Sequence, residues 1–292
     1  MKKIIPAAAV ISAALISLYA FDWPQPDVQA DSFFSYFGQN RGSTINKSLI
    51  FQDSSDIRVA AEGTVIGVIT EHDGDQGWFN STLGNAVIIA HKDNLLTVYG
   101  NLDAESLPAD IKQLSTVEGG TPLGTSGDSG WRDNQSSLEF QVIDTKQRTA
   151  INPRVLMPRI SKERELAVGS LSAVNKDGTE YDFRVTQTLQ AGRYRIYEQV
   201  KPPASKNPVP YKPTLSINGT VVETISYDIL RQEYNRICVS GTKSYPAEIV
   251  YPDEKKHLLG DINLTKGRNV ISVILYDILG STATVSYTIN VQ

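Results

Sequence analysis

The sequence predicts an all-β protein of two domains, and three observations carry that expectation. Short β-branched runs recur from about residue 50 to the C-terminus, the pattern of strands rather than helices. Gly, Asn and Asp bound nearly every run, supplying the backbone freedom that tight turns need. Only one stretch, residues 109–114 after Pro108, reads as helical. A chain of 292 residues is long enough for two domains of about 100–200 residues.

The N-terminus predicts a signal peptide over residues 1–20. Lys2 and Lys3 precede an apolar run over residues 4–18, and Leu18-Tyr19-Ala20 offers a small residue for cleavage. The run is shorter than the ~20 residues of a bilayer span, and an uncleaved signal-anchor is the alternative. Export to the periplasm or cell envelope follows. The run is followed by no cysteine that lipid could modify. Residues 21–45, with Pro24, Pro26, Gly38 and Gly42, read as an irregular segment.

The first domain is expected over residues 46–158. Its strands include Thr64-Val65-Ile66-Gly67-Val68-Ile69, Ala86-Val87-Ile88-Ile89-Ala90 and Leu95-Leu96-Thr97-Val98-Tyr99, with residues 73–77 as a loop. Asn152-Pro153-Arg154 and Pro158 mark its end, and a charged stretch over residues 161–165 leads onward. The second domain, residues 166–292, has turn signals at Asp177-Gly178 and Ala191-Gly192 and a Pro-rich loop from Pro202 to Pro213. Its last two alternating runs flank Asp277-Ile278-Leu279-Gly280 and predict a terminal hairpin. Strands at this spacing predict a β-sandwich of immunoglobulin-like size.

Composition excludes some functions. A net charge of -4 without a basic block argues against nucleic acid and against an anionic membrane surface. Cys238 is the single cysteine, so no internal disulfide forms, and Arg236-Ile237-Cys238-Val239 reads as a strand with a small buried hydrophobe.

Residues 46–154 resemble the lysostaphin-like (LytM) zinc metallopeptidases, which cut peptidoglycan cross-links. The resemblance is carried by Ala60-Ala61-Glu62-Gly63-Thr64-Val65, by Gly84-Asn85-Ala86-Val87-Ile88-Ile89-Ala90-His91, and by Thr97-Val98-Tyr99-Gly100-Asn101-Leu102 at the Tyr-x-His-Leu segment. The Gly-rich turn Val117-Glu118-Gly119-Gly120-Thr121-Pro122-Leu123-Gly124-Thr125-Ser126-Gly127, the strand Ser137-Leu138-Glu139-Phe140-Gln141-Val142 at His-x-His-Phe-Glu, and Asn152-Pro153 complete it. It implies a small antiparallel sheet with a groove along one face.

The family's zinc ligands are His-x-x-x-Asp and the second His of His-x-His, which leave an open position for an activated water. The first motif falls near Asn46-Lys47-Ser48-Leu49-Ile50, His-x-His reads Ser137-x-Glu139, and the His of Tyr-x-His-Leu is Asn101. No catalytic residue, no metal ligand set and no cofactor are therefore expected. Tyr99, Asn101, Ser137 and Glu139 are expected to line a metal-free groove suited to peptide amides or a partner segment, with Tyr99 alternatively a core aromatic. The implied role is a noncatalytic envelope protein that binds peptidoglycan or docks a cell-wall hydrolase. Inactive relatives activate amidases in cell division. The alternatives are a divergent zinc endopeptidase using Glu139, Asp53 or Asp56, and a purely structural periplasmic protein.

The histidines add no site. His91 is at a strand end away from any ligand position, His72 belongs to an acidic loop, and His257, after Glu254-Lys255-Lys256, reads as a surface residue. Ser126-Gly127-Asp128-Ser129-Gly130 resembles a serine nucleophile loop by letters alone and is expected to be a turn.

Overall fold

The computed structural model describes residues 20–42, 44–72, 79–109, 111, 116–130, 137–200 and 208–292. The leader over residues 1–20, the loop at residues 73–77 and most of the short helix at residues 109–114 lie outside the described residues or nearly so. Among the described residues no helix is long and apolar enough to cross a membrane.

The first domain is built on a mainly antiparallel sheet in which Thr64–Ile69, Asn85–Ala90, Leu95–Leu102, Glu139–Asp144 and Thr149–Ile151 lie side by side. Leu49–Phe51 also pairs with Glu139–Asp144 and carries Phe33–Ser35 on its far edge. Alternation sets the faces. Leu49, Phe51, Leu138, Phe140, Val142 and Tyr99 belong to one apolar core, so Ile50, Glu139 and Gln141 point to the opposite face. The segment over residues 21–45 is integral to the domain rather than a leader to it. Phe21, Val28, Phe33 and Tyr36 are buried in that core, and Trp23 Nε1 donates to Pro158 O at 2.9 Å.

The second domain is a β-sandwich. A four-stranded sheet (Glu180–Asp182, Leu171–Asn175, Gly192–Gln199, Lys256–Leu264) faces a five-stranded one (Thr188–Leu189, Thr282–Val291, Gly267–Tyr276, Lys212–Ile217, Thr220–Thr224). Alternating Ile271, Val273, Leu275, Ile196 and Leu259 fill the space between them. The terminal hairpin pairs Gly267 with Val291 through to Tyr276 with Thr282. Asp277 Oδ1 accepts from the N–H groups of Leu279 and Ser281 to close its turn.

One part of the second domain leaves the sandwich. Ser226–Glu233 and Arg236–Ser240 form a hairpin whose first strand pairs with Thr149–Ile151, placing Ala150 opposite Leu230. The first domain's sheet therefore runs on into the second domain. A third core lies at this junction and draws Phe37 and Ile45 from one side and Tyr197, Tyr227, Leu230 and Leu258 from the other.

Candidate functional site

Ile50 lies directly opposite Glu139 in the ladder, and cross-strand partners share a face. The short hairpin of Asn40–Arg41 with Thr44–Ile45 extends Arg41 to this point. Arg41 Nη1 and Nη2 donate to Glu139 Oε1 and Oε2 at 2.7 and 2.9 Å. This bidentate fork is the strongest ordinary pairing of the two groups. Ser48 Oγ donates to the same carboxylate at 2.5 Å and Gln141 Nε2 at 3.1 Å. Asn46 Oδ1 accepts from Ser48 N at 3.1 Å and from Arg41 Nη1 at 3.4 Å, while its Nδ2 donates to Ser35 Oγ, Tyr36 O and Ser48 O. Asn46, Ser48 and Glu139 are 0%, 0% and 3% exposed. The Arg41 side chain is 30% exposed and is the group of this cluster that reaches solvent.

Asn101 has φ +62°, a left-handed conformation that asparagine tolerates better than most residues. Its Nδ2 donates to Gly127 O at 2.7 Å and Ser137 O at 2.5 Å, and its Oδ1 accepts from Gly130 N at 2.6 Å. It therefore brackets the Gly-rich turn to the Glu139 strand. Tyr99 is fully buried, packs edge-on against Phe140 at 5.1 Å and donates nothing to a groove: its hydroxyl accepts from Ala60 N at 2.8 Å. Burial pushes its phenol up to about 12.

The structure thus brings together Glu139, Asn46 and Ile50, and places Asn101 and Ser137 beside one another through a hydrogen bond. Tyr99 is on the core side of the sheet, which corrects its placement in the groove and gives the core-aromatic alternative. All four expected groove residues are at most 6% exposed. Asp53 and Asp56 are exposed. Among the described residues no three His, Cys, Asp or Glu stand close enough to hold a metal ion.

His257 is a correction. It is 2% exposed, with Nδ1 at 2.9 Å from Glu198 Oε1 and Nε2 at 2.6 Å from Tyr227 Oη. Tyr251 stacks on its ring and donates to Gly38 O at 2.7 Å. The local run of charges before it suggested solvent, whereas the strand Lys256–Leu264 turns it inward. A recess of about 440 Å³ opens beside this chain of groups, walled by Asn40, Leu166, Val168, Val209 and Lys256. His91 hydrogen-bonds Glu62 O and Thr97 Oγ1, and burial lowers its pKa. Ser129 Oγ donates to Leu102 O and accepts from Asn85 N, a clamp within the turn. Cys238 is buried on its strand.

Fold and site together define a metallopeptidase-type β domain joined to a β-sandwich. Residues 46–153 match the model of peptidase family M23, and the chain belongs to that family through this domain. A second family model matches residues 165–292. An uncharacterised protein of Treponema pallidum (strain Nichols) is 32% identical over 122 residues, covering 39% of this chain and 80% of that protein. Among solved structures, a chain of the SpoIIIAH–SpoIIQ complex aligns at 18% identity and TM-score 0.37 over 47% of this chain and 99% of its own. The catalytic domain of the prophage-encoded M23 protein EnpA from Enterococcus faecalis aligns at 20% identity and TM-score 0.34, over 44% and 95%.

Zinc, the metal of the active relatives, does not fit the residues found here. At the positions that the sequence resemblance sets beside the family's ligands stand an amide (Asn46), an alkyl group (Ile50) and a carboxylate already gripped by a guanidinium (Glu139). A dication needs imidazole, thiolate or carboxylate donors, and beside a fixed positive charge it meets repulsion.

Proposed function

We propose that this chain is a noncatalytic, exported protein of the cell envelope that binds peptidoglycan or docks a cell-wall hydrolase through its M23-type domain. One observation carries the reading. The carboxylate at a ligand position spends both oxygens on Arg41, and Ser48 takes a further lone pair. Nothing in that cluster can activate a water as a bound metal would. What persists is the family's framework, whose surface over Arg41 can still recognise a peptide or a partner strand.

The test is a pair of measurements on the purified full chain. It should co-sediment with isolated peptidoglycan sacculi, or retain a cell-wall hydrolase and change that enzyme's rate, while releasing no peptide fragments and retaining no stoichiometric zinc. Cross-link cleavage with one zinc per chain would establish a divergent endopeptidase instead. Absence of any binding to sacculi or hydrolase would leave the structural reading.

A further inference from the structure

In the active relatives an ion ties together side chains from two separate strands. Here the corresponding strands, Leu49–Phe51 and Glu139–Asp144, are adjacent, yet the polar groups they carry toward one another meet through Arg41. Its guanidinium contacts Glu139, Ser48 and Asn46 at 2.7–3.4 Å, and those residues come from two of the positions where the relatives hold ligands and from between them. We propose that Arg41 is a cation supplied by the chain in the place of the metal: it closes the site to zinc and fastens the 40–48 segment onto the sheet. The inference rests on the metal-free reading above and adds which residue enforces it.

Three features favour this assignment over an incidental surface ion pair. The acceptor is 5% exposed and the donor 30% exposed, so water screens the pair poorly. The fork is bidentate, a geometry that fixes direction as well as charge. Two of the carboxylate's neighbours donate to it: Ser48 Oγ and Gln141 Nε2 supply protons and bring no negative charge of their own. Such a shell is built around an anion whose cation is resident. Glu139 in turn would be a buried, uncompensated carboxylate without Arg41, the situation in which removing one partner is costly.

The experiment compares melting of the full chain and its variants with zinc and with chelator. Wild type should melt at one temperature in both. Arg41→Met should lower Tm by roughly 5–10 °C, and the pair Arg41→Met with Glu139→Leu should recover most of that loss, because an apolar pair replaces a charged one at little cost. The variant N46H/I50D/E139H should gain a zinc-dependent rise in Tm only when Arg41→Ala is added. The proposal is overturned if Arg41→Met melts within about a degree of wild type, or if N46H/I50D/E139H responds to zinc equally with Arg41 in place. Should the histidine variants fail to fold, the comparison of Arg41→Met with its Glu139→Leu double variant decides alone. Zinc uptake by wild type would instead refute the metal-free reading itself, a separate failure.

Discussion

Asn101 illustrates how a side chain that a family motif brings to notice holds the local structure together. Its amide meets Gly127 O, Ser137 O and Gly130 N while the residue is 6% exposed. Truncation to alanine removes the hydrogen bonds to all three groups, leaving Gly127 O only the donor Ser137 N, and it also places a Cβ residue without a polar side chain at φ +62°. Asn101→Ala should therefore cost about 2–3 kcal/mol, read as a lower urea midpoint at an unchanged slope. The sequence identified Asn101 because a family motif framed it. It could not identify Arg41, which lies in a turn-rich stretch 98 residues from Glu139 and follows no periodic pattern. Pairs at such separation leave no local trace. His257 shows the converse error: neighbouring lysines read as solvent, but a charged stem can lie along a surface while the next residue turns inward.

At the scale of the element, the strands over Thr64–Ile69, Asn85–Ala90 and Leu95–Leu102 were legible because β-branched runs alternate between Gly and Asn turns. The joining of Thr149–Ile151 to Ser226–Glu233 was not, since a ladder is made of main-chain groups that every residue carries alike. The boundary near residue 158 therefore separated two sequence regions that share one sheet. This junction has a testable consequence. Ala150 lies between Ile143 and Leu230, inside the sheet, where proline removes a donor and clashes. Ala150→Pro should cost at least about 3 kcal/mol and split one calorimetric transition into two. Proline at Val221, on the edge strand Thr220–Thr224 and 60% exposed, should leave the single transition in place.

Among the described residues three apolar cores are distinguished, and one of them takes residues from both domains. Buried tyrosines connect this arrangement to pH. Burial, the largest cause in each case, raises the Tyr99 phenol to about 12 and raises those of Tyr227 and Tyr251 as well. Tyr99 belongs to the first core and Tyr227 to the junction. A phenol whose pKa is higher in the folded state than in the unfolded chain holds its proton better when folded. Its contribution is thus complete below about pH 10, the unfolded value, and is lost as pH rises toward the folded one. For Tyr99 the window is pH 10 to about 12, and the shift is worth on the order of 3 kcal/mol. Because the junction core binds the domains into one body, ionisation of tyrosines in either should unfold both together. Ultraviolet difference absorbance of the phenolates and far-ultraviolet circular dichroism, followed through an alkaline titration, should change at the same pH. Phenolate absorbance that rises to its full value while the circular dichroism stays native would show that the buried hydroxyls titrate within the intact fold, and would remove them from the alkaline limit of its stability.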